Sequence, residues 1–294
     1  MSEKIPLPQN MRGMALILVL WMIVLLVLMA SGFAFAMRSE AVATQTSVAQ
    51  IKAGLHVDGA IERAVYELAR PKVDPNDGWK ADGTSYPLTE DEADLTVTIV
   101  DESSFIDINA ADEHTLKRLF ERVGGVDART AESIVNALLD WRDADDLTRP
   151  FGAEAPEYRA AHKNHAPSNT SFRTQEELGQ VLGVTPQIYA NVAPFITVYS
   201  KTAAINTTTA PREVLLCLPQ ADEDSVDRYI EDRRRARDQG QALPLFHGMG
   251  GKSPIWRITA TLKSDEGFTL TRTAIIRYTG QSSRPFLIYD WRDA

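Results

Sequence analysis

An unbroken apolar run near the amino terminus constrains this chain more than any other feature. Residues 14–37 read MALILVLWMIVLLVLMASGFAFAM, without a charged residue and with only Ser31 and Gly32 as interruptions. A helix needs about 20 apolar residues to cross the hydrocarbon core of a bilayer, and this run meets that length. A core helix of a soluble protein is an unsuitable explanation for a run of this length and composition. We therefore predict a transmembrane segment at residues 14–37.

The residues around this run predict its orientation. Lys4 and Arg12 precede it, whereas Arg38, Glu40 and a long mixed domain follow it. Positive charge beside a membrane span favours the cytoplasmic side, so we expect a cytoplasmic leader and an exported carboxyl-terminal domain. A secretory signal has an apolar region of about 7 to 15 residues before its cleavage site, and this run is longer.

The junction between leader and apolar run carries a processing signal. Arg12 and Gly13 stand directly before Met14. This arrangement resembles the class III, prepilin-type signal of type IV pilins and type II secretion pseudopilins. The resemblance implies that a prepilin peptidase in the membrane cleaves after Gly13 and methylates the new amino terminus at Met14, so that the hydrophobic helix is kept.

The fifth residue after this junction departs from the common pilin pattern. Most pilins carry a Glu there, and its carboxylate compensates the buried amino terminus of a neighbouring subunit, because an unpaired charge in hydrocarbon is costly. In this chain the position is Leu18. A subunit without the carboxylate suits a tip position with no subunit above it. Among the pseudopilins, the K subunit typically lacks this Glu.

Composition limits the remaining function classes. The chain has 294 residues and a formal net charge of -9, which argues against broad binding of phosphate backbones. Its single cysteine, Cys217, can form no intrachain disulfide, and its Leu-Leu-Cys-Leu context is typical of a small core residue. The sequence contains no P-loop, nucleophile elbow or dinucleotide fingerprint, so we predict no enzymatic activity.

Periodicity predicts the elements of the exported part. Apolar residues recur at helical spacing over residues 41–69, and Pro71 ends this pattern. We therefore predict that the transmembrane helix continues as a long spine that ends near Arg70. Residues 72–88 are rich in Gly, Pro, Asn and Asp and predict a loop. Alternation predicts a strand from Leu95, a hairpin from Trp256 to Tyr278, and a last short strand at residues 286–289.

The segment from Phe105 to Arg237 repeats a helical pattern. Ile108-Asn109 corresponds to Ile205-Asn206, and each pair precedes a small-residue turn, a Leu-rich helix, a short turn and a second helix. A third pair of short helices is predicted around residues 183–186. These units resemble helix-hairpin-helix motifs, so a membrane-anchored DNA-binding pilin is the main rival hypothesis.

The hairpin turns argue against that rival. In the DNA-binding version, a Gly-apolar-Gly turn exposes backbone N–H groups to a phosphate. Here Asp127 stands where the second glycine belongs, and the second turn contains Asp222 and Glu223. Because carboxylates repel phosphate, we predict no nucleic-acid partner.

The order of features over nearly the whole chain resembles the K family of type II secretion minor pseudopilins. The matching pieces are the Glu-less span, Ile-Asp-Ile-Asn at 106–109, Asp-Trp-Arg-Asp-Ala-Asp at 140–145, Thr-Val-Tyr at 197–199 and Ile-Asn-Thr-Thr-Thr-Ala at 205–210. The resemblance implies an α+β, pilin-like fold. A long amino-terminal transmembrane helix packs on an antiparallel sheet, and a large all-helical domain with helix-hairpin-helix-like repeats is inserted.

On this scheme we expect five segments. They are a leader peptide at 1–13, the transmembrane segment at 14–37, the spine helix, a loop and the first strand at 38–104, the inserted helical domain at 105–204, and the remainder of the pilin-like domain at 205–294.

An acidic cluster follows the first helical pair. Hard cations such as Ca²⁺ take about six to eight oxygen ligands, and crowded carboxylates repel one another without a counter-charge. The residues alone are equally consistent with a solvated acidic loop. Members of the K family bind calcium in the inserted domain, so the resemblance favours a structural Ca²⁺ ion. The preferred ligands are Asp143, Asp145 and Glu154, followed by Asp140, Asp146 and Glu157.

The resemblance also implies a function. The chain would be a single-pass protein of the inner membrane with its carboxyl-terminal domain in the periplasm. It would join the I and J minor pseudopilins, cap the pseudopilus and support protein export across the outer membrane. Two alternatives stay open: a DNA-receptor pilin for uptake, and a tip subunit of a type IV pilus that acts in adhesion.

Mass spectrometry of the mature amino terminus tests the processing pathway. We expect a chain that begins at an N-methylated Met14. Cleavage near Ala36, or an intact leader, would contradict the prepilin-type interpretation.

Overall fold

The computed structural model describes residues 11–70, 78–90, 93–247, 250–264, 267–281 and 284–293. Most of the predicted leader, residues 1–10, lies outside this part of the chain. Two compact units are present, Met1–Leu55 and His56–Ala294. The helix α1 (Met11–Ala69) begins in the first unit and ends in the second.

Within the first unit, α1 presents its apolar side chains outward. Trp21 is 70% exposed and Phe35 is 78% exposed. The other large apolar side chains from Met14 to Met37 are exposed as well. Among the described residues, α1 is the helix that is long and apolar enough to cross a membrane. The length and the exposed apolar surface of this helix agree with the predicted single helical span.

The described residues of the second unit form seven strands. Five form one antiparallel sheet in the order β1-β2-β5-β6-β7, and the two-residue strands β3 and β4 form a parallel pair. The strands are β1 (Asp82–Glu90), β2 (Ala93–Asp101), β3 (Ile106–Asp107), β4 (Ile196–Thr197), β5 (Ile255–Lys263), β6 (Thr269–Gln281) and β7 (Arg284–Asp293). The predicted strand at Leu95, the hairpin and the last strand are therefore confirmed.

The prediction of a loop at residues 72–88 is wrong for its second half. β1 begins at Asp82 and is the first strand of the sheet, whereas the predicted strand from Leu95 is the second. Gly83 and Pro87 are tolerated in this strand because β1 lies at the edge of the sheet. Gly83 has a φ of +78° and lies at an irregularity in the pairing with β2. Pro87 has no N–H to donate, and none is needed on the side of β1 that has no neighbouring strand. Residues 72–77 of the predicted loop lie outside the described residues.

The carboxyl-terminal turns of α1 pack on one face of this sheet. Ala60, Ile61 and Ala64 are fully buried, at the three- and four-residue spacing of one helix face. Opposite them lie buried residues of the central strands, such as Val97 and Ile258. Small Ala side chains let the helix axis approach the sheet closely. A long amino-terminal helix on an antiparallel sheet, with a helical insert, is thus confirmed.

The helical region follows β2 and returns to the sheet at β5. Its core is continuous: Leu116, Leu138 and Tyr158 belong to the same buried cluster as Val214 and Phe246. Buried residues on both sides of position 204 share this core, and the predicted domain boundaries stay predictions. The helices are α2 (Glu113–Arg122), α3 (Ala128–Arg142), α4 (Ala155–Ala160), α5 (Pro186–Val192), α6 (Arg212–Leu216) and α7 (Glu223–Asp238).

A partly buried arginine fixes the first helix pair, α2 and α3. Near the end of α3, Arg142 donates from Nη2 to the carbonyl of Ala111 at 3.1 Å and from Nη1 to the carbonyl of Ile108. These carbonyls belong to the turn that precedes α2, so the end of the second helix holds the entry of the first. Burial lowers the pKa of the Arg142 guanidinium, and the nearby Asp107 opposes that change.

The second pair, α6 and α7, is fixed in the same way. Arg233 of α7 donates from Nη1 to the carbonyls of Thr207 and Ala210, at 3.0 and 2.8 Å. These two carbonyls stand three residues apart, as those of Ile108 and Ala111 do, and lie in the turn that precedes α6. The two pairs therefore share a hydrogen-bonding scheme as well as a sequence order.

A buried ion pair connects the sheet to the helical region. Glu102 lies in a single 3₁₀ turn after β2, and its carboxylate accepts from Arg257 Nε at 3.0 Å and from Nη2 at 2.7 Å. Glu102 is fully buried, and the Arg257 guanidinium lies 3.8 Å from the ring centroid of Phe105. This bidentate geometry offsets the desolvation of both charges.

We expect Glu102→Ala to lower the free energy of unfolding by about 3–5 kcal/mol, because it leaves the Arg257 charge buried without a partner. Urea unfolding followed by tryptophan fluorescence measures the loss. The matched control is Asp227→Ala, which removes an exposed ion pair with Arg212 and should cost less than about 1 kcal/mol. Equal losses in the two variants would contradict this account.

Candidate functional site

The predicted ligands lie in and beside one loop between α3 and α4. Asp143 caps the carboxyl terminus of α3, and Glu154 stands at the amino-terminal cap of α4. The loop turns back so that both ends lie near Asp140, which belongs to the last turn of α3. The structure therefore gathers the acidic residues that are spread over the sequence.

Asp140 organises the loop from beneath. Its fully buried carboxylate accepts from the backbone N–H of Arg149 at 3.2 Å and of Ala153 at 2.8 Å. The Arg149 side chain adds an ion pair at 3.3 Å. Burial raises the pKa of Asp140, and the two backbone donors lower it. A Cβ on Gly152 would come within 2.1 Å of Asp140 Oδ2, so glycine is required at that point.

Glu154 is the most perturbed acid of the loop. It is only 2% exposed, and its Oε1 atom accepts no hydrogen bond. Burial, together with the negative charges of Asp140 and Asp143, raises the pKa of Glu154 to about 7. A buried carboxylate oxygen without a donor is costly unless a proton or a cation reaches it.

Asp143 has one satisfied and one unsatisfied oxygen. Oδ2 accepts from Arg149 Nη2 at 3.3 Å, whereas the buried Oδ1 has no hydrogen-bond partner. Arg149 thus bridges Asp143 and Asp140 and partly neutralises both. Sequence reasoning missed this arginine, because nothing in the local pattern distinguishes it from a solvated charge.

The other three predicted ligands lie at the surface of the loop. Asp145 Oδ1 accepts from the Leu147 N–H at 2.9 Å, in a turn closed by its own side chain. Asp146 Oδ1 accepts from Asn169 Nδ2 at 2.7 Å. Glu157 Oε2 accepts from the Glu154 N–H at 2.9 Å, which stabilises the start of α4.

Asn169 is a second residue that the sequence did not indicate. Its Nδ2 also donates to the carbonyl of Asp145 at 3.1 Å, while its own Oδ1 is buried without a partner. Asn169 has a φ of +49°, a backbone conformation that Asn tolerates better than most residues. It reaches the loop from a distant stretch of the chain, which only the tertiary structure brings close.

The donor set of the loop suits a hard cation. Carboxylate, amide and carbonyl oxygens are the ligands that Ca²⁺ prefers, and three buried oxygens of Asp143, Glu154 and Asn169 have no donor. Across the described residues, however, no three His, Cys, Asp or Glu side chains are grouped so that they could together hold a metal ion. Any ion would therefore draw on Asn169 and on backbone carbonyls as well as on carboxylates.

Acidic side chains in the hairpin turns cap the amino termini of the helices that follow them. Asp127 accepts from the N–H groups of Arg129 and Thr130 at the start of α3. Asp222 accepts from the Ser225 N–H at the start of α7, at 2.8 Å. These are the backbone donors that a phosphate would need, so each carboxylate competes with that ligand.

Comparison with known proteins gives one consistent family. Residues 96–201 match the family described as "Type II secretion system (T2SS), protein K". Two curated relatives carry the name type II secretion system protein K. The chain is 24% identical to the protein of Klebsiella pneumoniae over 204 residues and 25% identical to that of Pectobacterium carotovorum subsp. carotovorum over 205 residues.

Over residues 96–201, the chain is similar to the type II secretion system protein K family.

The fold of this chain is similar to one in a solved complex. That structure is the GspK-GspI-GspJ complex of the type 2 secretion system from enterotoxigenic Escherichia coli. The TM-score is 0.57 at 18% identity, over 85% of this chain and 99% of the other. The matches to the two curated relatives cover 63% of this chain and 62% of the length of each relative.

The raised pKa of Glu154 predicts that the stability of this chain depends on pH. Its ordinary value is 4.5, and the folded value is about 7, so the folded state holds this proton more tightly than the unfolded state does. The contribution is complete below pH 4.5 and is lost as the pH rises through 7. Stability should therefore fall over this window in buffer that contains a chelator.

Glu154→Gln should remove that part of the slope, because Gln stays neutral at every pH in the window. Urea unfolding at several pH values measures the difference between the two chains. Glu231→Gln, on the exposed side of α7, is the control and should keep the slope of the unmodified chain. An unchanged slope in Glu154→Gln would show that this carboxyl group does not titrate as described.

Proposed function

We propose that this chain is a minor pseudopilin at the tip of the type II secretion pseudopilus, where it supports protein export across the outer membrane. The observation that carries the proposal is the family match, together with a fold similar to one in the GspK-GspI-GspJ complex. Its partners would be the I and J minor pseudopilins. Like type II secretion system protein K, the chain would act as a structural component without enzymatic activity.

The amino-terminal helix supports an inner-membrane location. The exposed apolar surface of α1 from Met14 to Met37 fits a single pass, with the second unit in the periplasm. Prepilin peptidase would cleave between Gly13 and Met14 and methylate Met14. Leu18 offers no carboxylate to a subunit above, which suits the capping position.

The finer description of the fold is also a proposal. A pilin-like domain would consist of α1 and the five-stranded sheet. The helical region would contain helix-hairpin-helix-like repeats, since Arg142 and Arg233 hold their helix pairs by matching hydrogen bonds. The self-capping Asp127 and Asp222 argue against phosphate binding by these repeats, so a DNA-uptake pilin is disfavoured.

A type IV pilus tip subunit shares several of these features. It would have the same membrane helix, processing signal and exposed helical region. The family match favours the secretion system over the pilus, because the residues that match protein K of that system, 96–201, lie within and around the helical insert.

We further propose that the acidic loop binds a structural Ca²⁺ ion. The unpartnered buried oxygens of Asp143, Glu154 and Asn169 support this, as does the raised pKa of Glu154. Asp145 is the third preferred carboxylate, with Asp140, Asp146 and Glu157 as further candidates. A bound cation would neutralise the crowded carboxylates and brace the loop between α3 and α4.

Titration calorimetry of the soluble fragment tests the metal proposal. We expect Ca²⁺ uptake at or below millimolar concentration, and weaker uptake after Glu154→Gln or Asp143→Asn, since each removes a negative oxygen donor. Glu231→Gln should leave uptake unchanged. No uptake at millimolar Ca²⁺ would show the metal proposal to be wrong.

Co-purification tests the assembly. The full chain, extracted in detergent after co-expression, should retain the I and J minor pseudopilins and not type IV pilus proteins. A gel-shift assay at physiological salt should show no DNA binding. A stable DNA complex, or association with pilus subunits alone, would favour the corresponding alternative.

A further inference from the structure

Arg149 places a positive charge inside the acidic loop. Its Nε atom lies 3.3 Å from Asp140 Oδ1, and its Nη2 atom lies 3.3 Å from Asp143 Oδ2. The guanidinium thus spans two carboxylates at the carboxyl-terminal end of α3, while 43% of the side chain remains exposed. Asp143 is one of the preferred Ca²⁺ ligands, so Arg149 already holds a carboxylate that the ion needs.

Buried oxygens beside this arginine remain without a donor. Glu154 is 2% exposed, and its Oε1 atom accepts no hydrogen bond. The Oδ1 atoms of Asp143 and Asn169 are likewise buried without a partner. Because a buried acceptor without a donor is costly, these oxygens favour a further positive ligand that Arg149 does not replace.

The position of Arg149 accounts for the spread of the carboxylates. A planar guanidinium donates to carboxylates along its edges, whereas a metal ion needs oxygens that converge on one point. Two carboxylates held at different atoms of Arg149 do not converge in this way. This agrees with the finding that, among the described residues, no three acidic, His or Cys side chains are grouped to hold a metal ion.

We propose that Arg149 is a built-in counter-ion that competes with Ca²⁺ for Asp143 and so sets the affinity of the acidic loop for the ion. This role rests on the proposed Ca²⁺ site and adds the residue that tunes it. A guanidinium and a divalent cation repel each other at short range, so the two do not share one carboxylate without cost. Binding is therefore an exchange, in which Asp143 turns from Arg149 to the ion.

The backbone of the loop allows this exchange. Asp140 Oδ2 accepts from the main-chain N–H groups of Arg149 and Ala153, at 3.2 and 2.8 Å. The Ser133 hydroxyl donates to the carbonyl of Phe151 at 3.0 Å and ties the loop to α3. None of these bonds uses the guanidinium, so the arginine side chain can change partner while the loop keeps its path.

Calcium titration of the full chain in neutral detergent micelles tests the competition. We expect Arg149→Met to bind Ca²⁺ about tenfold more tightly than the unmodified chain, because Met keeps an unbranched apolar stem and removes the competing charge. Arg149→Lys keeps the charge and should stay within about threefold of the unmodified chain. Arg159→Met, which removes an exposed positive charge from α4, is the matched control and should change the affinity less than about twofold.

Thermal unfolding separates competition from a purely structural role. In a chelator, Arg149→Met should have a lower Tm than the unmodified chain, because the buried Asp140 loses its ion pair. Excess Ca²⁺ should raise the Tm of Arg149→Met by more than that of the unmodified chain, since a tighter ligand stabilises the folded state more. A purely structural arginine would lower the Tm equally with and without Ca²⁺. If Arg149→Met does not fold in the chelator, Arg149→Gln, which keeps N–H donors without the charge, takes its place.

The outcomes separate this competition from the Ca²⁺ site on which it rests. If the unmodified chain and Arg149→Met bind Ca²⁺ with equal affinity, the competition is wrong and the Ca²⁺ site stands. If Arg149→Met binds Ca²⁺ more weakly, Arg149 supports the site, and the competition is again wrong. If neither chain takes up Ca²⁺ at millimolar concentration, the Ca²⁺ site fails and the role of Arg149 fails with it, while the tip function is unaffected.

Discussion

The close approach of α1 to the sheet is the contact on which the second unit depends. Ala60 and Ala64 leave room for the central strands to lie directly against the helix, and Ile61 fills the space between them. Arg272 then ties α1 to both β6 and β7 by ion pairs. Because α1 covers one face of the sheet, the helical region can contact the opposite face without competing for the same apolar surface.

The helical region relies on buried polar contacts to a greater degree than its short helices suggest. α6 has five residues and α4 has six, too short to be stable alone. Arg142 and Arg233 satisfy backbone carbonyls at the turns, while Asp140 satisfies two backbone N–H groups of the acidic loop. These contacts fix the loop before any cation is considered, so a bound ion would add rigidity to an existing conformation.

Sequence reasoning succeeded where one local pattern decided the outcome. The long helix, the β5–β6 hairpin and the helical character of the insert each follow from periodicity that no distant contact overrides. It was wrong at residues 82–88, where Gly83 and Pro87 indicate a turn but the sheet edge tolerates both. It also missed Arg149 and Asn169 in the acidic loop, because their roles arise from neighbours that only folding supplies.

The sequence by itself determined the long apolar helix, the absence of a carboxylate at position 18, and the clustering of acids after α3, since each is a property of composition at fixed spacing. Only the tertiary structure decided which acids are buried. Asp140 and Glu154 lie beneath the loop while Asp145 and Asp146 remain outside, because the chain must turn back over the end of α3. Strand register likewise decided which strand residues face α1, since a shift of one residue would move each of them to the other side.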